Sequence, residues 1–571
     1  MIAITYLLAA IVPCLPPDGA RVAEIARHLP ETPLWSDEAF PVLERESGTL
    51  MEEPIPDCSD DLYLLTTTTG NRERYEKVYH RRVEMLRAFA GTARAADGDG
   101  CLKRTIELLQ AICDERSWTL PAHDMKLTNF RGSHLTIDLG SANRAHALAG
   151  TLAQLGDRIP SGVRAKVRAE LERRVFALYR ATNRDSGDPK ALAEHGNWWF
   201  FTRSNWSAVC HSRVVRAALA VLEDRMDRAA FVEAGERGMR FFLESFLPDG
   251  YCTEGIGYWN YGYGHFLEFT MAARNATGGF VDFAALPRAK EAMGYAFGYT
   301  LDGVNCPVFA DGGSGRAEAR FLDIGCAIWP EFAAVRKKDL PPRTFFPDAQ
   351  VYIGRSRRIA FAVKGGTNDE LHNHNDIGSW TLCLDGQEVA GDPGKEIYTA
   401  RTFSKNRYDS AVLNSFGHPV PRVGGELQLT GSESRAEILL RKFSETRDIF
   451  SIDLSSAYPA TRGQKGAVAR AMVFDREKES VTIVDRLRVE KPIAFESAVI
   501  SSGETCPLVP KATGGAWHVE ETALENPGRP SPRRFAVVFD EPVVQADVTW
   551  TFCASCYNGF SSARRSEEGT N

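Results

Sequence analysis

The chain has 571 residues, of which 43% are hydrophobic and 25% charged, and its formal net charge is -7. That length is too great for one ordinary core, so two or three domains are expected, with the composition of a soluble globular protein. The acidic balance argues against a general nucleic-acid binder, which needs a basic face, but it leaves room for an anionic ligand gripped by a few local arginines.

The chain opens on "MIAITYLLAAIVPCLPPDGA". This apolar run is too short for a membrane span. It has no Lys or Arg ahead of it and no clean small-x-small cleavage site. It reads either as a weak signal peptide, making the protein periplasmic or secreted, or as a buried first helix of a cytoplasmic one. From residue 20 to about 335 the pattern is helical. Residues 101–118, 141–156, 162–183, 207–226 and 228–247 repeat apolar positions at three and four, with Gly, Pro and Asp clusters between them. Amphipathic helices with short connections bury their stripes against one another, which predicts a helical array or toroid. The character changes at "KKDLPPRTFFPDA" (337–349). Beyond it, short alternating runs rich in Val, Ile, Phe, Tyr and Thr, with D-G and G-G turns, predict an antiparallel β-sandwich. The expected domains are 1–340 and 341–571. Twelve cysteines are thinly spread, and the lone "CASC" at 553–556 is weak evidence for a metal or redox site.

Three clusters carry polar or aromatic density. In "TRSNWSAVCHSRVV" (202–215), Ser204 or Asn205 is a plausible N-cap. Asn205 and His211 are six apart and do not share a helical face, so spacing alone favours a cap and an exposed histidine. In "LPDGYCTEGIGYWNYGYGHF" (247–266), five glycines accompany Tyr258, Trp259, Tyr261, Tyr263 and His265. Such a stretch is poor core material and suits a loop whose rings stack on sugars, although an aromatic plug between helices is the rival reading. In "HNHND" (372–376) an extended strand would point His372, His374 and Asp376 to one face, with H-x-H spacing suited to zinc and with Asp392 and His418 as further partners. A two-residue turn at Asp385-Gly386 would set Asp392 opposite Ser379, so the metal site closes only if "HNHND" curls before the strand begins or the turn is wider.

"NWWFFTRSNWSAVC", "DGYCTEGIGYWNYG", "HNHNDIGSWTLCLDGQEVAGDPG" and "LNSFGHPVP" together resemble the heparinase II/III-like polysaccharide lyases, in order and rough spacing, over about residues 130 to 430. The resemblance implies an incomplete α/α toroid followed by an antiparallel β-sandwich, with a catalytic cleft between them. It implies β-elimination on a uronate-containing polysaccharide: a glycosaminoglycan such as chondroitin, hyaluronan or heparan, with alginate as the alternative. That reaction needs a neutralised carboxylate, a base for the C5 proton and an acid for the leaving oxygen.

By the same resemblance, Asn205 matches the carboxylate-binding asparagine. His211 falls where relatives often carry another asparagine. Tyr258, or else Tyr261, is the acid and a candidate base, and His372 is the second proton-transfer residue. His374, Asp392 and His418 match a structural zinc site. Arg203, Trp206, Glu254, Trp259, Tyr263, Asn373 and Arg407 are the expected substrate contacts, with Glu254 able to orient a tyrosine or to cap a loop. Arg203, Arg213 or Arg407 could supply the cation that a tyrosine base requires. Arg213 departs from the small residues of many relatives and would narrow or charge the cleft. The expected partner is an anionic uronate polysaccharide, without nucleic acid or membrane span, and the sequence leaves room for a homodimer. Two other classes stay open. A glycoside hydrolase would need two carboxylates astride the bond, for which Asp249 and Glu254 are the only nearby pair. A non-catalytic carbohydrate-binding protein of the same fold is the other.

Overall fold

The computed structural model describes residues 15–36, 40–42, 48–95, 99–312, 315–399, 401–402 and 404–557. Residues 1–14, which hold most of the N-terminal apolar run, lie outside them, as does Cys14. No described helix is long and apolar enough to cross a membrane. All the described cysteines are free thiols, including Cys553 and Cys556. The chain forms two compact units: Met1–Ser245 with Asn260–Lys290 and Arg320–Trp329, and Phe246–Trp259 with Glu291–Ala319 and Pro330–Asn571.

The first unit is helical. Helix Asn205–Val221 packs on Leu139–Leu155, Arg225–Leu243 and Gly264–Thr277, and helix Glu73–Ala95 packs on Asp99–Cys113 and Leu139–Leu155. The sequence explains which helix is central. "NWSAVCHSRVVRAALAV" buries Val209, Val215 and Ala218 on different sides, and a helix apolar nearly all round belongs in the interior. "LGSANRAHALAGTLAQL" is rich in Ala and Gly, so neighbouring helices approach closely. Its start is fixed by a capping box in which Asp138 accepts from the Ser141 backbone and Ser141 accepts from that of Asp138. The predicted helix 162–183 is observed as Ser161–Leu171 and Ala177–Arg184, joined by a π-helical turn at Glu172–Phe176.

The second unit holds antiparallel sheets. Arg343–Phe346, Val351–Arg355, Ile359–Lys364, Trp380–Leu384 and Gln387–Ala390 form a five-stranded meander. A six-stranded sheet is built round Ser480–Ile493 and Val543–Cys553, and a four-stranded one round Phe495–Ser501 and Arg533–Phe539. Strand Val468–Asp475 alternates buried and half-buried residues along its length, the period of a strand covered on one face. Tyr352, Phe361 and Trp380 from the first sheet meet Phe450, Ile483 and Trp550 from the second and Val499 and Val537 from the third in one core.

The glycine-aromatic stretch is not a loop. It is a short helix at Ile256–Tyr258, a π-helical turn at Trp259–Tyr263 and the α-helix Gly264–Thr277. Glycine is required there by close approach. A Cβ on Gly257 would meet the carbonyl oxygen of Gly312 at 2.5 Å, and one on Gly312 would meet that of Glu254 at 2.7 Å. These glycines let the turn Ala310–Gly312 lie directly on the segment that carries Glu254 and Tyr258.

Candidate active site

"HNHND" is not a strand. The chain curls through residues 371–378, and the strand starts at Trp380. His372 adopts the left-handed region with φ 54°, a conformation that histidine enters more readily than most residues. The turn at Asp385-Gly386 is the two-residue one, pairing Leu384 with Gln387. A one-residue bulge then shifts the register so that Leu382 pairs with Ala390, and Asp392 still lies beside Ser379, whose Oγ donates to its Oδ2 at 2.8 Å. The curl, not the strand, brings His374 to Asp392.

Within the second unit, His372 and Tyr258 stack with ring centroids 4.3 Å apart. The Tyr258 hydroxyl lies 3.3 Å from Nδ1 of His372 and 2.9 Å from the hydroxyl of Tyr398. Both rings and Tyr398 are half-buried, whereas the carboxylates behind them, Glu254 and Asp311, are buried. Asp311 accepts from Nδ1 of His372 at 2.9 Å, from Nε2 of His374 at 2.9 Å and from Arg407 Nη2 at 2.9 Å. Glu254 Oε2 lies 3.5 Å from Nε2 of His372.

The electrostatics follow from this packing. Burial, with the charges of Glu254 and Asp311, raises the Tyr258 phenol above its ordinary range despite the hydrogen bond from Tyr398 and the nearby Arg407. Burial likewise raises Tyr398. Burial would raise the Asp311 carboxyl, but the two histidines and Arg407 hold it well below the usual carboxylate range. Asp311 is thus an anion, His372 carries its Nδ1 proton toward it, and Nε2 is the nitrogen left for chemistry. The site can hold a protonated phenol and an imidazole lone pair side by side.

His374, Asp392 and His418 are buried together, with one ligand atom of each within 4.8 Å of the others. His418 Nε2 donates to the Val412 carbonyl at 3.1 Å, and its Nδ1 faces Asp392 Oδ2 at 3.0 Å. His374 gives its Nε2 to Asp311, and its buried Nδ1 has no hydrogen-bond partner. Each histidine therefore has one nitrogen fixed by an acceptor and the other turned inward, the arrangement of a metal ligand oriented by its outer partner. Two His and one Asp form a donor set suited to zinc, and the orphaned Nδ1 fits a metal. Asp376, by contrast, pairs with Lys364 at 2.6 Å.

Burial places His211, Trp259, Tyr263 and Asn373 among the core residues. His211 is not exposed: it is fully buried, with Nδ1 2.6 Å from the Tyr179 hydroxyl and Nε2 2.7 Å from the Phe200 carbonyl. Burial pushes it down to about 3, so it is a neutral residue of the helical core, not the exposed one that spacing suggested. Trp259 and Tyr263 are also core, the indole donating to Ala292 O at 2.7 Å and the phenol to Ala289 O. Asn373 is buried, and its carbonyl accepts from Arg407 at 3.0 Å. Arg203 is exposed and paired with Glu244 at 2.8 Å. Asp249 accepts from the backbone amides of Tyr251 and Asp348, so one half of the hydrolase pair is a loop clamp. Glu254 faces His372.

In the first unit, Ser204 holds the N-cap position without a side-chain cap bond, and Asn205 begins the helix. Asn205 lies against Gly262, where an added Cβ would meet its own at 3.0 Å. Trp206 is half-buried against His123 and the exposed Trp198. Tyr261 is 38% exposed, with its ring edge on His265. Sequence reasoning missed Asp311 and Tyr398. "FADGG" offers only a turn-forming Asp beside glycine, and "KEIYTA" offers one tyrosine outside any motif.

No protein-family model matches the sequence, and no curated protein matches it either. Solved structures do. A heparinase III superposes with TM-score 0.62 over 97% of this chain and 88% of its own, at 10% identity. The chain has the heparinase III fold. A second heparinase III gives 0.59 over 96% and 89% at 11% identity. A mutant heparan sulfate lyase from Pedobacter heparinus gives 0.57 over 95% and 88% at 14% identity. The expected class, an incomplete α/α toroid followed by an antiparallel β-sandwich, is the class found.

Proposed function

We propose that this protein is a polysaccharide lyase that cleaves a uronate-containing glycosaminoglycan by β-elimination. The observation that carries the proposal is the stacked Tyr258–His372 pair, with its phenol and imidazole within 3.3 Å and two buried carboxylates behind the imidazole. The names of the structures that share the fold, heparinase III and heparan sulfate lyase, support a sulfated glycosaminoglycan ahead of alginate.

In this reading His372 Nε2 takes the C5 proton. Asp311 and Glu254 stabilise the imidazolium that results. The C4–O bond breaks as the C4–C5 double bond forms, and Tyr258 gives its proton to the departing oxygen. Its raised phenol is protonated at neutral pH, which suits an acid and not a base. The proton taken from carbon then leaves Nε2 for the Tyr258 phenolate by way of solvent, so Tyr258 is a phenol again and His372 keeps its Nδ1 proton on Asp311 with Nε2 free for the next turnover. Asn205 has the carboxylate-neutralising role that the sequence resemblance gives it. His374, Asp392 and His418 would hold a zinc ion, which would pin the curl that presents His372. The test is ultraviolet absorbance from unsaturated uronate on a panel of heparan sulfate, chondroitin, hyaluronan and alginate. Wild type should generate it on at least one glycosaminoglycan, and Tyr258→Phe and His372→Ala should not. Equal rates for wild type and both variants would reject the assignment.

A further inference from the structure

Arg213 sits on the third turn of helix Asn205–Val221 in the first unit. Among the described residues, no carboxylate lies within ion-pair distance of it. Its Nη1 donates to Asn143 Oδ1 and its Nη2 to His265 Nε2 at 3.2 Å, while its buried Nε has no hydrogen-bond partner. Both acceptors are neutral. The same Asn143 oxygen also takes Arg87 Nη2 at 3.2 Å, so two guanidinium groups converge on one amide.

The nearest candidate counter-ion is committed elsewhere. Glu268 pairs with Arg216 at 2.8 Å and Arg320 at 3.3 Å, and His265 Nδ1 lies 3.3 Å from it without a hydrogen bond. Arg213 can only donate, so His265 Nε2 is the acceptor that faces it. Buried Arg144 in this unit is neutralised directly, gripping both oxygens of Glu115, and buried Arg228 is satisfied by three backbone carbonyls, whereas half-buried Arg213 has only two side-chain acceptors, one of them shared with Arg87. A half-buried guanidinium with only neutral partners is costly unless an anion completes it. Tyr261 is exposed with its ring edge on His265, and Asn143 and Arg213 are only half-buried, so the cluster is reachable from solvent.

We infer that Arg213, with Asn143, His265 and Tyr261 around it, is an anion-binding subsite that takes a sulfate or carboxylate group of an acidic saccharide. Guanidinium matches both groups with paired N–H donors. The saccharide part rests on the lyase reading; the anion part does not.

Two measurements test this. The first is thermal melting of wild type, Arg213→Met and Arg225→Met in sodium chloride and in sodium sulfate of equal ionic strength. Sulfate stabilises every protein by exclusion, so the readout is the difference between variants. Specific binding adds stabilisation only where the site exists. Wild type and Arg225→Met should gain more from sulfate than Arg213→Met does. The second is calorimetric binding of a heparan sulfate oligosaccharide and its desulfated counterpart to the Tyr258→Phe protein, with and without Arg213→Met. Loss of a charged hydrogen-bonding partner should weaken binding about tenfold or more. Loss confined to the sulfated ligand assigns the site to sulfate, and equal loss on both assigns it to the carboxylate. Equal sulfate gains together with unchanged affinities would overturn the subsite. If no unsaturated product ever forms but the Arg213-dependent sulfate gain is present, the lyase reading fails and the subsite stands.

Discussion

Asp311 Oδ2 lies 2.9 Å from Nδ1 of His372. Its other oxygen takes Nε2 of His374 at the same distance, so one carboxylate orients both the proposed base and a proposed zinc ligand. An amide has only one acceptor oxygen and cannot hold both rings in these tautomers. Asp311→Asn should lower kcat on the order of a hundredfold with little change in KM, and should lower zinc affinity about ten- to a hundredfold. Steady-state kinetics and metal titration check both, and normal values of each would remove Asp311 from this role.

Tyr398 donates or accepts at 2.9 Å from the Tyr258 hydroxyl but stacks less closely on His372, with centroids 6.3 Å apart. Tyr398→Phe removes one hydrogen bond from the acid without removing the acid. A kcat loss of roughly tenfold is expected, smaller than that of Tyr258→Phe, because one neutral hydrogen bond is worth about 1 kcal/mol. A Tyr398→Phe loss equal to or greater than that of Tyr258→Phe would exchange their roles.

Metal binding should be read by content and by stability. The purified protein is expected to carry about one zinc per chain, and chelation should lower its melting temperature, with zinc restoring it as ligand linkage requires. His418→Ala should carry no zinc and show no response to chelator. A zinc-free wild type whose melting ignores added zinc would contradict the assignment.

Two buried histidines set an acid limit. Burial depresses His211 to about 3 and His265 to about 4, below the ordinary value of 6.5. Between those values the unfolded chain binds protons that the folded chain does not. Stability therefore rises with pH in this window and is lost as pH falls from 6.5 toward 4 and then 3. Each histidine contributes a slope of about 1.4 kcal/mol per pH unit inside its window. Urea unfolding at several pH values should show this fall, and His211→Gln should lose one proton's share of the slope; an unchanged slope would refute it.

Arg470 is the anchor of the curl. It grips Asp485 through Nε and Nη2 at 2.7 Å, and its Nη1 donates to the Gly378 carbonyl at 2.6 Å and to that of Pro419, next to His418. Arg470→Met strands a fully buried carboxylate and should cost about 3–5 kcal/mol, while Arg470→Met with Asp485→Leu should recover most of it. Chemical denaturation measures both; equal losses in the single and double variants would show that the ion pair is not the source.

Periodicity made the helices and strands legible, because burial on one face leaves a mark at 3.6 or 2 residues. Ser161–Leu171, which buries Val163, Val167 and Leu171, and Val468–Asp475, which alternates along its length, follow it closely. Motif density marked Tyr258 and His372. It also marked Trp259 and Tyr263, since aromatic residues beside glycine look alike whether the glycine frees a loop or lets two segments touch. His211 read as exposed because spacing says nothing about which helices cover a face. Asp311 was invisible: its importance comes from a contact with residue 372, and a single Asp in a turn is among the commonest sights in any sequence.

The central claim is elimination without water. Products formed from heparan sulfate oligosaccharide in heavy-oxygen water should be analysed by mass spectrometry. The account predicts fragments whose masses sum to that of the substrate, with no solvent oxygen, and no product from Tyr258→Phe. Fragments that have gained one heavy oxygen would mark a hydrolase and contradict it.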